Sequence, residues 1–251
     1  MLYIARALTA LLLAPLALGA TGTADDAARE LTVAKAAVLG VIEGVTEYLP
    51  VSSTGHILVA QDLMGIGETP ETEDAADTFA ITIQSGAILA VLLLYFGRVR
   101  SMAAGLVGRD TAGRHVLGTL AIAFVPAALV GFALDDTIKN RLYGPVPIAI
   151  AWAAGGVVIL VAARWLRTRP DGVTTLEAMP VRVALLIGAA QIAALWPGTS
   201  RSLVTILAAL ALGLSVGAAL EFSFLLGLAT LSAATAYEAL RHGGDLFDAY
   251  G

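Results

Sequence analysis

The stretch Gly40-Val-Ile-Glu43-Gly-Val-Thr-Glu47-Tyr-Leu-Pro50-Val-Ser-Ser-Thr-Gly-His56 decides the fold. It places acids, hydroxyls and a histidine around a proline, in the middle of the apolar segment 32–64. The proline interrupts any helix there, and the two apolar halves are each shorter than the roughly 20 residues that a spanning helix needs. Non-helical backbone at membrane depth survives only where it is buried in protein or lines a polar cavity. We therefore predict a re-entrant helix pair.

A second apolar segment, 181–214, is broken in the same way by Pro197-Gly-Thr-Ser-Arg-Ser202. Gly40-Val-Ile-Glu43 aligns with Gly188-Ala-Ala-Gln191, and Leu49-Pro-Val-Ser-Ser53 aligns, after one deletion, with Trp196-Pro-Gly-Thr-Ser200. Two similar broken-helix segments are what an inverted-topology repeat produces, and in such folds the site forms near the membrane midplane. We predict repeat 1 over about 31–134 and repeat 2 over about 145–251.

Composition assigns the chain to the membrane. Hydrophobic residues make up 58 % of its 251 residues, charged residues only 14 %, and the mean hydropathy is +0.82. A soluble domain has about a quarter charged residues. The absence of cysteine excludes disulfides and thiolate metal sites, and the net charge of −5 argues against a nucleic-acid partner. The predicted fold class is all-α, a polytopic membrane helical bundle with two re-entrant helix pairs.

Candidate spans and loop charges give a topology. Spans are predicted at 79–97, 116–134, 145–163 and 216–240. Two loops are arginine-rich, and the positive-inside rule makes them cytoplasmic: Arg98, Arg100, Arg109 and Arg114 in one, Arg164, Arg167, Arg169 and Arg182 in the other. The stretch 62–77 has six acids and no Lys or Arg, so it is predicted to lie outside. The first re-entrant pair then opens outward and the second inward.

Residues 1–30 form an extension before this domain, which we place at 31–251. One arginine, Arg6, precedes an apolar run over 7–20, and small residues and two acids follow. This order is typical of a signal peptide, and an uncleaved signal-anchor helix is the alternative.

Glu43 and Glu47 are the first candidates for chemistry. Residues four apart project from one face of a helix, and like charges there destabilise it. Acids inside a membrane are costly as well. A metal ion, an arginine or protonation of one acid is needed to offset that cost.

The hydroxyl residues Ser52, Ser53 and Thr54 follow the turn at Pro50. They are candidates for capping a helix, and a hydroxyl-capped helix N-terminus is also an anion site. If a helix starts there, His56 lies one turn from Ser53, which makes it a candidate acid or base.

Arg201 is the only basic residue between Arg182 and Arg241, and it lies at the second break. A guanidinium fork matches phosphate oxygens, although the same charge could serve to neutralise a buried acid. Three hydroxyl residues nearby are candidate substrate-binding groups: Ser200, Ser202 and Thr205.

These motifs resemble the undecaprenyl-diphosphate phosphatases, also called bacitracin-resistance proteins. The resemblance rests on the 40–56 stretch and on Leu195-Trp-Pro-Gly-Thr-Ser-Arg-Ser202, with weaker support from Glu221-Phe-Ser-Phe-Leu-Leu226. It implies interlocked inverted repeats and hydrolysis of undecaprenyl diphosphate to the monophosphate, which recycles the lipid carrier of cell-wall synthesis. Five residues match the functional positions of the family: Glu43, Glu47, Ser53, His56 and Arg201.

The resemblance also implies dependence on a divalent cation. We predict Mg²⁺ or Ca²⁺, held by Glu43, Glu47 or both. Whether the protein forms a homodimer is left open by the sequence. The family normally continues past the Glu221 segment with two more spans, so repeat 2 is expected to be incomplete here.

Two questions stay open on sequence alone. Ser53 could attack the phosphate after losing its proton to His56, or a water activated by His56 or Glu47 could attack directly. A lipid-phosphate flippase is the alternative function, because inverted repeats with broken helices also suit alternating access.

Overall fold

The computed structural model describes residues 31–67, 70–142, 144–167 and 172–250. The extension 1–30, predicted as a signal peptide or signal anchor, lies outside the described residues. The regular structure of the described part is helical, with one isolated β-bridge between Val173 and Leu214. The helices are α1 (Val33–Thr46), α2 (Ser53–Leu63), α3 (Pro70–Leu94), α4 (Phe96–Leu106), α5 (Thr111–Leu142), α6 (Pro145–Leu166), α7 (Val181–Gln191), α8 (Arg201–Ala211) and α9 (Val216–Tyr250), with short 3₁₀ turns at Leu176–Ala178 and Ile192–Leu195.

Among the described residues, three helices contain stretches long and apolar enough to cross a membrane. These stretches are Thr111–Asp135 of α5, Pro145–Leu166 of α6 and Val216–Tyr237 of α9. Each contains or closely matches a span predicted from the sequence. The prediction of an all-α, polytopic membrane helical bundle is confirmed.

The predicted span 79–97 differs from the structure in one respect. Helix α3 ends at Leu94, and the chain bends by 80° before α4 begins at Phe96. A straight continuation would carry Arg98 along the apolar span. After the bend, Arg98 instead forms ion pairs with Glu177 and, at 2.5 Å, with Glu221. The bend thus brings Arg98 to two acids that are distant from it in the sequence.

Both predicted helix breaks are present. Helix α1 ends at Thr46 and α2 begins at Ser53, while α7 ends at Gln191 and α8 begins at Arg201. One detail of the prediction is wrong: Glu43 and Glu47 do not share a helix, because Glu47 lies in the turn after α1. A helix running on to Pro50 would press the proline ring against the Thr46 carbonyl, four residues earlier.

The described residues belong to two compact units. The first comprises the described residues of Met1–Val45, His56–Ile88 and Leu231–Gly251. Its core includes Leu39, Ile57, Ile66 and Ala76. Within it, the Lys35 ammonium donates to the Met64 carbonyl at 2.6 Å and so satisfies the C-terminal end of α2.

The second unit comprises Thr46–Gly55 and Leu89–Thr230. Phe222, Leu225 and Leu226 of α9 are almost fully buried in its core. Helix α7 approaches α5 closely at Gly188, where an added methyl group would lie 2.2 Å from the Ala123 carbonyl oxygen. Only glycine permits this approach.

Candidate active site

An ion pair between Glu47 and Arg201 joins the two sequence motifs within the second unit. The Arg201 Nη2 atom lies 2.7 Å from Glu47 Oε1, across a separation of 154 residues. The side chains are only 14 % and 9 % exposed for Arg201 and Glu47 respectively. A pair this dry interacts strongly, and removing one partner would leave an uncompensated buried charge. Arg201 is therefore the counter-charge that the sequence required for one of the two acids.

Ser53 adds a hydroxyl to this pair. Its Oγ donates a hydrogen bond to Glu47 Oε2 at 2.5 Å, so one carboxylate contacts both the serine and the arginine. Ser53 is the first residue of α2 and is 5 % exposed. The preceding residue, Ser52, has a φ of 67°, in the left-handed region that non-glycine residues rarely occupy. Residues with such a strained backbone conformation are common at functional sites, where the surrounding structure holds them in place.

Helix α8 carries Arg201 at its first residue. The Ser200 Oγ accepts from the Leu203 amide at 3.2 Å, a side-chain N-cap that fixes where the helix starts. The Ser202 hydroxyl donates to the Leu49 carbonyl at 3.0 Å and so ties this helix end to the first loop.

A third contact fixes the guanidinium against α9. Arg201 Nη1 donates to the Ser223 carbonyl at 3.2 Å, and the Thr205 and Ser223 hydroxyls lie 2.6 Å apart. A guanidinium has five N–H donors, so contacts through two of its nitrogens leave donors for a phosphate. The residues Ser200, Ser202 and Thr205, predicted to bind substrate, thus already support Arg201. Their contact with substrate stays a prediction.

The other predicted residues are placed as follows. Glu43 is in the last turn of α1 and is 2 % exposed, and His56 is half-buried on α2, three residues after Ser53. Both belong to the first unit, whereas Glu47, Ser53 and Arg201 belong to the second. Thr54 is exposed at the start of α2. Their predicted roles stay predictions.

The sequence predicts Ser223 only as a supporting residue in or near a span, and the structure places its carbonyl against Arg201. The sequence offered a signal, because Ser223 lies inside the Glu221-Phe-Ser-Phe segment. Next to it, Phe224 packs against Tyr48, with ring centroids 4.9 Å apart. Tyr48 directly follows Glu47, so this aromatic contact also holds the turn that carries the acid.

A resident metal in a closed protein cage does not fit these residues. In the part of the chain that the structure describes, no group of three or more His, Cys, Asp or Glu side chains is placed to hold a metal ion. The carboxylate chemistry does suit Mg²⁺, which proteins usually bind through one or two carboxylates together with substrate phosphates and water. The predicted roles of Glu43 and Glu47 as ligands of a divalent ion stay predictions.

The arrangement has two parts. An arginine at a helix N-terminus can attract phosphate. A serine that is hydrogen-bonded to a carboxylate has the geometry of a nucleophile beside its base. Fold and site together define a polytopic membrane protein whose buried polar residues suit phosphate chemistry.

Comparison with known proteins gives the family. Residues 36–249 match the model of the family described as bacitracin resistance protein BacA. The chain belongs to this family, which confirms the resemblance found in the motifs.

Similar relatives carry the name undecaprenyl-diphosphatase. A protein of Rhodospirillum rubrum, undecaprenyl-diphosphatase 2, is 47 % identical over 81 % of this chain and 72 % of its own length. Undecaprenyl-diphosphatase of Nitrosomonas europaea is 44 % identical over 84 % of this chain and 74 % of the relative. The protein of that name in Sorangium cellulosum is 43 % identical over 86 % and 69 % respectively.

Proposed function

We infer that this chain is a membrane hydrolase that converts undecaprenyl diphosphate to undecaprenyl phosphate and inorganic phosphate. The relatives that bear this enzyme's name are 43–47 % identical over most of the chain. The product returns to the carrier cycle of peptidoglycan synthesis, which links the enzyme to cell-wall biogenesis, cell shape and bacitracin resistance. The observation that carries the proposal is the Arg201–Glu47–Ser53 constellation.

In the proposed mechanism, Arg201 holds the terminal phosphate. Its remaining N–H donors, with the amides at the start of α8, would contact the phosphate oxygens. The transition state of phosphoryl transfer spreads negative charge over these oxygens, where a fixed arginine stabilises it most. The contact with the Ser223 carbonyl keeps the guanidinium oriented before substrate arrives. The start of α8 is held in place by Ser200, Ser202 and Thr205. Ser52 and Thr54 are proposed as further phosphate contacts.

Ser53 is proposed as the nucleophile. As its Oγ bonds to phosphorus, its proton passes to Glu47, whose Oε2 already accepts it in a hydrogen bond. The bond between the terminal phosphorus and the bridging oxygen breaks, and undecaprenyl phosphate leaves. A water then attacks the phosphorus and gives a proton to His56, the bond between phosphorus and Ser53 Oγ breaks, Glu47 returns its proton to that oxygen, and inorganic phosphate leaves. The hydrogen bond to Glu47 favours this route over direct attack by water.

The divalent cation is a separate part of the proposal. When bound, Mg²⁺ or Ca²⁺ would neutralise charge on the diphosphate, with Glu43 and Glu47 as protein ligands. Its requirement is tested by adding a chelator, which should abolish turnover, and then restoring excess Mg²⁺.

The decisive assay is phosphate release from undecaprenyl diphosphate by purified protein in detergent, with Arg201→Ala as the inactive control. Hydrolysis needs no sealed compartment, whereas transport does. Release by the wild type alone supports the hydrolase. A wild type that moves the lipid across sealed vesicles but releases no phosphate would point to the flippase, which the comparisons do not favour.

We further propose that the protein lies in the inner membrane with its active site open to the outside. The arginine-rich loops support this orientation, because such loops usually lie on the cytoplasmic side. Cysteines at exposed positions test it against a chain that has none: Thr137→Cys should react with an impermeant thiol reagent on intact cells, and Arg109→Cys should not. The reverse labelling would overturn the orientation. No nucleic-acid partner is proposed, and a homodimer is to be tested by light scattering.

A further inference from the structure

Helix α6 lies against both broken-helix loops of the second unit. At the first loop, a methyl group added to Gly55 would lie 2.6 Å from the Trp152 indole. At the second loop, a methyl group on Gly198 would lie 3.0 Å from the Ile148 backbone. Trp196, beside Gly198, donates from Nε1 to the Pro147 carbonyl at 3.1 Å.

These contacts come from one face of α6. Ile148 and Trp152 are four residues apart, so they lie one above the other on the helix surface. One face of a single helix therefore contacts the segments at the starts of α2 and α8, which carry Ser53 and Arg201. The glycines let the loops approach: Gly55 is buried, and Gly198 also has a φ of 87°, which favours glycine on its own account.

The Trp152 contact bears directly on Ser53. Gly55 is two residues after Ser53, in the first turn of α2, so any shift of this turn moves the serine Oγ. The Ser53 Oγ lies 2.5 Å from Glu47, and this geometry has little tolerance. A displacement of about 1 Å in a reacting group can cost about 10²-fold in rate.

We propose that Trp152 is a positioning residue for the hydrolysis, whose indole fixes the first turn of α2 so that Ser53 meets Glu47. This rests on the proposed function. Trp152 touches no reacting atom in this scheme. It acts through the backbone at Gly55, and the fit is a matched pair of the largest side chain and the smallest.

A double-mutant experiment tests the pair. Gly55→Ala should lower kcat by about 10²-fold with little change in KM, because the new methyl group meets the indole and displaces Ser53. Trp152→Leu removes the ring and should lower kcat by about tenfold. The double variant Gly55→Ala with Trp152→Leu should turn over faster than Gly55→Ala alone, because leucine leaves room for the new methyl group. A purely structural role does not predict a loss of kcat at unchanged KM and unchanged unfolding temperature. The control is Gly156→Ala on the same helix, where an added methyl group meets nothing within 4 Å.

The outcomes separate this inference from the proposed function. No phosphate release by the wild type would overturn both. Wild-type release with an unimpaired Gly55→Ala, or with no recovery in the double variant, would overturn only the positioning role. Should Gly55→Ala fail to fold, Trp152→Leu decides, since an unchanged kcat in that variant also contradicts the proposal.

Discussion

The two broken-helix regions use the same backbone scheme and different chemistry. In the first, α1 gives way to a turn over 47–50, and Ser52 takes the left-handed conformation just before α2. In the second, a 3₁₀ turn follows α7, and Gly198 takes the left-handed conformation before α8. The left-handed residue is a serine in the first region and a glycine in the second, one aligned position apart.

The side chains at aligned positions divide the chemical work. The first region supplies the acids, whereas the second has Gln191 at the position of Glu43 and supplies Arg201. Within the second unit, one member of each region meets in the Glu47–Arg201 pair. In the proposed mechanism, the first region supplies the proton acceptor and the second supplies the arginine that holds the anion. The variants below test this division.

The largest effect is expected when the hydroxyls at aligned positions are removed. Ser53→Ala should lower kcat by about 10⁴-fold, because the proposed nucleophile is lost. Ser200→Ala removes a helix cap and should lower the free energy of unfolding by about 1 kcal/mol, with a much smaller kcat loss. Single-turnover phosphate release and thermal unfolding measure the two effects. Equal losses of kcat in both variants would contradict the division of labour.

The next largest effect concerns the forked shape of the Arg201 guanidinium. Arg201→Lys keeps the charge and loses the fork, and should lower kcat by about 10³-fold at equal protein level. If Arg201 only neutralised Glu47, Lys would serve nearly as well. A double-mutant cycle with Glu47→Gln measures the coupling between the two side chains. Near wild-type turnover in Arg201→Lys would show that the arginine balances charge and does not hold phosphate.

The aligned glycines should respond with opposite signs. A methyl group on Gly40 meets nothing within 4 Å, so Gly40→Ala should raise stability by up to about 1 kcal/mol. Gly188→Ala would place its methyl group 2.2 Å from the Ala123 carbonyl oxygen, and should cost about 1–3 kcal/mol. Thermal unfolding in detergent compares them. Similar shifts for both variants would mean that the repeats pack alike.

The smallest effect is expected for the pH dependence of stability, through Glu177, which lies shortly before α7. A hydrogen bond from its own backbone amide, followed by the Arg98 guanidinium, holds the pKa of the Glu177 carboxyl below its usual range. A depressed pKa contributes stability above the unfolded-state value, about 4.3, and this contribution is lost as the pH falls through the folded-state value. The unfolding temperature should therefore fall on acidification below pH of about 4.3. Glu177→Gln should fall less steeply, and an unchanged slope would argue against the contribution.

Sequence alone predicted the elements governed by local rules. Pro50 and Pro197 marked both helix breaks, and the apolar runs marked the spans of α5, α6 and α9. The sequence did not predict the bend before α4, because the acids that pair with Arg98 after the bend are distant in the chain. A periodic pattern does not show such partners.

The site was predictable in its members and not in its contacts. The motifs named Glu47, Ser53 and Arg201, and buried charge required a partner for the acid. Ser223 contacts Arg201 through its backbone carbonyl, a group that every residue has, so its motif does not show this contact. Trp152 lies against Gly55 with its ring surface, and no motif spacing links the two. The end of α1 at Thr46 followed from the proline rule, but assigning both acids to one helix overlooked it.

The distance in sequence between Glu47 and Arg201 has a consequence for biogenesis. The acid leaves the ribosome 154 residues before its partner, a delay of about 8–30 s at a synthesis rate of about 5–20 residues per second. During that interval an ionised carboxylate in hydrocarbon would lack its counter-ion, at a cost of several kcal/mol. The Glu47–Arg201 ion pair can therefore form only after the second motif has been translated.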